Sequence, residues 1–423
     1  MNYWWKKAKL YELYVDKFAT DLNRLTAKLD YFTDLGINTL HLLPHYPSPM
    51  ADDGYDVSDY RNVRPELGTL ADFERFVQAA HAQDIRVVVD LVLNHTSQLH
   101  PWFIEARSSK SNQKRDYYLW SETGTEFPLI KSGIRDIKEK NWIANPATGD
   151  FYFATFYPQQ PDLNWDNPEV FREMLEIMFF WAERGVDGFR LDAAAHLIKR
   201  EGSDSRGLPE THALLKRIRA ALEEKFLEVI LLAEAHQSLS DTKKYFGDGD
   251  ECHMAYHFTL MEQMWLTLQH GDPLSLQKVV DESRDIPESC QWAIFLRNHD
   301  EISFATLEPG LREALVKYLD PESLYSFKKG EATSMRLGSV YANNREGMRK
   351  ASRLLYSLPG SPIMYYGDEI GMQNLPHEEN ILDSRRYVRG AFDWKLAQLE
   401  RKDPTSLFHE VAALIKGIKT GAQ

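Results

Sequence analysis

Residues 185–196 read Gly-Val-Asp-Gly-Phe-Arg-Leu-Asp-Ala-Ala-Ala-His. They follow an amphipathic run over 168–184, and Val186, Phe189 and Leu191 give them the apolar pattern of a buried strand. Arg190 and Asp192 lie two residues apart, so on a strand they project from one face. The C-terminal exit of a barrel strand is where such folds keep their chemistry. Taken alone, the pair reads equally well as a buried structural salt bridge.

Outward from this strand, short apolar runs alternate with helical patterns. Before it, strands are predicted over 10–15, 37–43 and 86–93, with helices over 22–32 and 70–82. After it come strands over 229–234, 254–260, 293–296 and 363–366, with helices over 208–223 and 345–356 and a closing helix over 406–418. Continuous apolar strands suit a parallel sheet covered on both faces. Eight strand–helix units predict an α/β fold, a (β/α)8 TIM barrel. After the third strand the rhythm breaks for far longer than a connecting loop. The expected organisation is a first barrel part (1–94), an inserted subdomain (95–166) and a second barrel part (167–423). Trp102, Phe103, Tyr117, Tyr118, Trp120, Trp142, Phe151, Tyr152 and Phe156 crowd the insert. Most are expected to form its core, and some to stack on a ligand.

The chain has 423 residues, 43% hydrophobic and 12% aromatic, enough for a large core. A net charge of −13 argues against nucleic acid or an anionic membrane surface as partner. Cys252 and Cys290 are too few for a disulfide framework, no apolar run could span a bilayer, and residues 1–10 lack a signal-peptide core. The expected localisation is cytoplasmic.

Four strand ends carry polar groups that a barrel would bring to one mouth: Asp90, Asn94 and His95; Arg190 and Asp192; Glu234; and Asn298, His299 and Asp300. Singly, each reads as a turn residue, a satisfied core histidine or a surface carboxylate. Together, polar residues ending four apolar strands are costly unless they share a site.

Asp90-Leu91-Val92-Leu93-Asn94-His95, Gly188-Phe189-Arg190-Leu191-Asp192, Leu232-Ala233-Glu234-Ala235 and Arg297-Asn298-His299-Asp300 resemble the four sequence regions of the α-amylase family, glycoside hydrolase family 13. Gln160-Pro161-Asp162-Leu163-Asn164 resembles its fifth region, and 52–56 and 360–371 its second- and eighth-strand signatures. Arg200-Glu201-Gly202, Leu208-Pro209-Glu210-Thr211-His212 and the 245–255 stretch are most similar to the family's trehalose synthase branch, which interconverts maltose and trehalose.

The resemblance implies a retaining enzyme acting on a small α-glucoside: maltose, trehalose or a short malto-oligosaccharide. It assigns Asp192 as nucleophile, Glu234 as general acid/base and Asp300 as the third carboxylate. Arg190 would keep Asp192 ionised. His95 and His299 would donate to sugar hydroxyls, Tyr55 would stack under the ring, and Asp52 with Arg389 would clasp the far hydroxyls of a terminal glucose. Ala193 leans the linkage preference toward α-1,4. An exo-acting α-glucosidase on the same machinery is the alternative, and a non-catalytic carbohydrate-binding or assembly barrel a lesser one. Oligomeric state is left open.

Three departures stand out. The loop 16–23 is too short for the branch's calcium site, so no cofactor is expected, nor calcium at that loop. The family's β-sandwich after the barrel is not expected here. Gly390-Ala391-Phe392-Asp393-Trp394 replaces the family's Thr-Pro-Met-Gln-Trp run. Its small residues suggest a looser lid around the site, with more hydrolysis or a different acceptor.

Overall fold

The computed structural model describes residues 3–417; Met1 and Asn2, in the N-terminal stretch, and Ile418, at the end of the expected closing helix, lie outside the described residues. Eight parallel strands close into a barrel: β1 (Leu10–Leu13), β2 (Thr39–Leu42), β3 (Arg86–Val92), β4 (Gly188–Asp192), β5 (Ile230–Ala233), β6 (Met254–Tyr256), β7 (Gln291–Ile294) and β8 (Ser361–Tyr365), with β8 pairing back to β1. Their side chains are almost wholly buried, as expected of a sheet covered by helices. Gly188 is obligatory at the start of β4, because a Cβ there would meet Ile230 Cγ1 at 2.4 Å. Among the described residues no helix is long and apolar enough to cross a membrane.

The register places the polar residues. Glu12 on β1 pairs with His41 on β2, and Asp90 on β3 pairs with Arg190 on β4. These side chains point inward and sit in a barrel that is otherwise apolar. Helix starts follow ordinary capping chemistry. Thr69 and Asp72 form a capping box before Leu70–His81, and Asn167 with Pro168 opens Pro168–Ala182, the helix leading into β4.

Two expected elements differ. The helix over 22–32 is two helices, Leu22–Thr26 and Leu29–Leu35, the second ended by Gly36 at φ 92°. The strand over 254–260 stops at Tyr256, and His257 caps a helix, Phe258–His270, its ring nitrogen accepting from the Leu260 N–H. A short apolar run cannot distinguish a buried strand from the start of a buried helix.

Between β3 and Pro168 lie a helix, Pro101–Ser108, and a three-stranded antiparallel sheet of Trp120–Ser121, Asp150–Phe153 and Trp142–Asn145. Phe103, Tyr118, Trp120 and Tyr152 pack around one another there. A second small sheet, of Ile302–Ser303, Ala332–Thr333 and Ser326–Phe327, follows β7.

Candidate active site

A cleft of about 540 Å³ opens at the C-terminal ends of the strands. Asp52, Tyr55, His95, Asp192, Glu234 and Asp300 line it, so six of the nine expected site residues share one cavity. Arg190, His299 and Arg389 lie directly behind them, buried, gripping the carboxylates.

Arg190 is the hub. Its Nη1 is 2.8 Å from Asp90 Oδ1 and 2.7 Å from Asp192 Oδ1, and its Nη2 is 2.6 Å from Glu234 Oε1. One guanidinium therefore serves three acids, which is more than the expected pairing with Asp192 alone. Burial pushes the Asp192 and Glu234 carboxyls up, with Arg190 opposing it in both. Asp90 is held below its ordinary value, since Arg190 and His41 outweigh its burial. The guanidinium's charge is thus already shared with Asp90, and burial leaves both Asp192 and Glu234 shifted toward their protonated forms. Ala193 follows β4 in the left-handed region (φ 48°) and donates its N–H to Glu234 Oε2 at 3.1 Å. The strained turn thereby ties the two strand ends together.

Asp300 is held the opposite way. His299, Arg385 and Arg389 surround it, at 3.2, 3.2 and 2.8 Å, and outweigh burial to keep its carboxyl far below the usual range. Its carboxyl is thus shifted toward the ionised form while those of Asp192 and Glu234 are shifted the other way.

His95 is neutral, its pKa lowered by burial to about 4, and its buried Nε2 has no protein partner. That nitrogen is free for a ligand hydroxyl. His299 is placed differently from the expectation. Its Nδ1 is 3.0 Å from Glu12 Oε1 and its Nε2 is 2.6 Å from the Tyr55 hydroxyl, so it holds protein groups. Tyr55 stacks on the His299 ring (5.4 Å, 11° between planes). The Asp52–Arg389 clasp is loose, at 3.9 Å. Arg389 instead pairs with Asp53 and Asp300, both at 2.8 Å. Asp52 is gripped by Arg385 at 2.9 Å and receives a hydrogen bond from Gln160 at 3.0 Å. Burial raises Asp52 to about 6 against the pull of these arginines. Arg385, itself fixed by Asp383, is the site residue that sequence reasoning missed. It lies 333 residues from its partner, in the short 3-10 helix Ser384–Val388.

The cleft walls come from residues 129–135 and Phe156 of the insert and from 301–331 after β7. They meet through an Arg135–Glu331 ion pair, a Lys329 N–H donated to Asp136 Oδ1 (3.0 Å), a Lys329–Glu139 pair (2.8 Å) and an apolar cluster of Ile134, Phe327 and Ala332 flanked by Ile137 and Tyr157. Phe156 stands over His95 and His196 and is the insert aromatic that faces the cavity. Residues 390–394 do not line it. Gly390 abuts Leu375, and Phe392 and Trp394 pack on Phe18 and Tyr31 away from the mouth. The sequence departure there does not loosen the cleft wall.

The acids of the first-strand loop are engaged: Asp21 caps a helix and Asp16 pairs with Arg64 at 3.2 Å. Between Asn94 and the insert, Lys199 Nζ sits 2.6 Å from both Asn94 Oδ1 and Asp162 Oδ2. An ammonium thus holds the oxygen pair that would otherwise suit a cation, and neither place fits calcium's need for several free oxygens.

Known proteins resemble this chain in sequence and in fold. The family model described as alpha amylase, catalytic domain, matches residues 14–320. A trehalose synthase/amylase of Mycolicibacterium smegmatis is 41% identical over 92% of this chain and 67% of its own length. A trehalose synthase of Thermus thermophilus is 42% identical over 92% of this chain but only 40% of its own. The chain therefore spans two thirds or less of these relatives. A crystal structure of a trehalulose synthase variant superposes with TM-score 0.79 at 25% identity, over 99% of this chain and 86% of that one.

Proposed function

We propose a reaction from one premise: this chain belongs to the α-amylase family, the glycoside hydrolases and transglucosidases of family 13. The reaction is retaining transfer of a glucosyl unit within a maltose-sized α-glucoside, of the kind that interconverts maltose and trehalose. The observation that carries it is the carboxyl pair Asp192 and Glu234, bound to the two ends of one guanidinium in a cleft lined by free and gripped polar groups. Retaining enzymes need two carboxyls ~5 Å apart, one ionised and one protonated.

In this scheme ionised Asp192 attacks the anomeric carbon while Glu234 gives its proton to the departing glycosidic oxygen. Glu234 then takes a proton from a hydroxyl of the freed glucose, which displaces Asp192 from the same face it left. Asp300, held ionised, accepts from ring hydroxyls. Asp52 and Arg385 hold the far side of the bound glucose, and His95 Nε2 reaches a further hydroxyl. The names of the trehalose synthases support the maltose–trehalose reading. The wall joined at Arg135–Glu331 supports turnover of the freed glucose in place and argues for chain-end action. Residues 95–166 serve in this proposal as the subdomain that supplies one wall.

Incubation with maltose, with trehalose and glucose resolved at early conversion, tests the reading. Trehalose in excess of glucose is expected. Glucose alone would make the chain an exo-acting α-glucosidase, and neither product would remove both readings.

A further inference from the structure

Beneath the catalytic pair the barrel interior holds a buried imidazole between two carboxylates, which the scheme above leaves unused. His41 on β2 is fully buried. Its Nδ1 lies 3.3 Å from Glu12 Oε2 on β1, and its Nε2 lies 3.4 Å from Asp90 Oδ2 on β3. Among the described residues neither nitrogen has another partner, so each faces a carboxylate and nothing else. A neutral imidazole has one bare lone pair, which would face a carboxylate in either tautomer. Only the imidazolium presents N–H to both sides.

We propose that His41 is a positioning residue that acts as a fixed buried cation, taking up the charge of Glu12 and Asp90 so that Arg190 remains available to Asp192 and Glu234. The chain of contacts is continuous. Asp90 touches His41 through Oδ2 and Arg190 through Oδ1, and Arg190 touches both catalytic carboxyls. The groups facing this network are Glu12 from β1, Asp90 from β3, Arg190 and Asp192 from β4, Glu234 beyond β5, Tyr256 from β6 (3.2 Å from Glu12 Oε2), His299 beyond β7 (3.0 Å from Glu12 Oε1) and Tyr55 beyond β2 (2.9 Å from Asp90 Oδ2). Without the imidazolium, Glu12, Asp90, Asp192 and Glu234 would lean on Arg190, with Arg297 the other guanidinium that feels Glu12. Asp90 would then claim more of Arg190, and Asp192 would ionise less readily. Burial works against charge on His41, yet its contacts with Asp90 and Glu12 outweigh that and raise its pKa.

His41 touches no cleft space, so substitution should leave KM alone and act through the pH profile. In His41→Gln the acid limb of kcat/KM, set by ionisation of the Asp192–Glu234 pair, should move up by about one pH unit, with KM at the optimum within about twofold of wild type. Glu12→Gln removes an acid from the other side and should move the same limb down. It also covers the case in which His41→Gln fails to fold. Nitrogen NMR of histidine-labelled wild-type protein at pH 8 should show an imidazolium signal that is missing in His41→Gln, or, if that variant does not fold, is perturbed in Glu12→Gln. Equal loss of rate at every pH, limb shifts of the same sign in both variants, or a neutral His41 at pH 8 would overturn the proposal. It rests on Asp192 and Glu234 being the catalytic pair. If that assignment failed, Asp192→Asn would still turn over; if only the His41 proposal failed, Asp192→Asn would be dead and the limbs unmoved.

Discussion

Replacing Arg385 with leucine probes the least expected part of the site. Its guanidinium, 10% exposed, meets Asp52 at 2.9 Å, Asp300 at 3.2 Å and Asp383 at 2.7 Å. Removing one partner of a buried ion pair ordinarily costs about 3–5 kcal/mol. Here part of that cost is avoidable. Asp300 retains Arg389, and Asp52, already at about 6, can take up a proton at pH 7 for roughly 1.4 kcal/mol per pH unit. The variant should therefore fold with a lowered Tm but grip substrate poorly. A charge-assisted hydrogen bond contributes about 1.5–3 kcal/mol, so kcat/KM on maltose should fall by about 10- to 150-fold, with the loss smaller in Arg385→Lys. The assay is kcat/KM from pH 5 to 8 for Arg385→Leu, Arg385→Lys and Arg389→Leu, with Tm measured in parallel. Near wild-type kcat/KM in Arg385→Leu, with a large loss confined to Arg389→Leu, would refute the reasoning and restore the Asp52–Arg389 clasp expected from sequence.

Glu331→Gln releases both Arg135 and Arg312 from the cleft wall. Such half-exposed pairs contribute less than about 1 kcal/mol, so Tm should hardly move while the glucose-to-trehalose ratio from maltose rises, by up to about fivefold; an unchanged ratio would show that this joint does not govern water entry. Chelator treatment should leave activity and Tm unchanged, because Lys199 stands between Asn94 and Asp162; a loss restored by calcium would contradict this. Glu369 is buried and raised to about 7 although the Tyr11 and Tyr31 hydroxyls (2.7 and 2.6 Å) donate to it. A carboxyl raised on folding stabilises the fold fully below its unfolded value near 4.5, and that contribution is lost as pH rises through about 7. Tm should accordingly fall between about pH 4.5 and 7, and Glu369→Gln should flatten that slope; an identical slope in the variant would rule Glu369 out as its source.

The barrel was legible because its strands are short, continuous apolar runs with polar exits, a signal carried within each segment. Asp192, Glu234 and Asp300 stood out as polar residues at or beyond the ends of apolar strands, while the roles assigned to them came from the family resemblance; the structure brings all three to one cleft. What the sequence could not show is who holds whom. Arg385 and Asp52 are far apart in the chain and nothing in either neighbourhood marks their meeting. Arg190 serving three acids depends on the shear that brings Asp90 beside it. The 390–394 departure looked like a change in the lid, yet the chain turns those residues onto the outer helices, where Phe392 and Trp394 complete an aromatic cluster with Phe18 and Tyr31. His299 reads from sequence as a ligand contact because a histidine beside an aspartate fits that role. Its ring is instead turned toward Glu12, a residue of the first strand.

The most direct test of the central claim is to trap the covalent intermediate. Protein incubated with a 5-fluoro-α-glucosyl fluoride, which slows breakdown of the glycosyl-enzyme more than its formation, should gain one fluoroglucosyl group, and peptide mass spectrometry should place it on Asp192. An adduct on another carboxylate, or full turnover by Asp192→Asn, would contradict retaining transfer through Asp192.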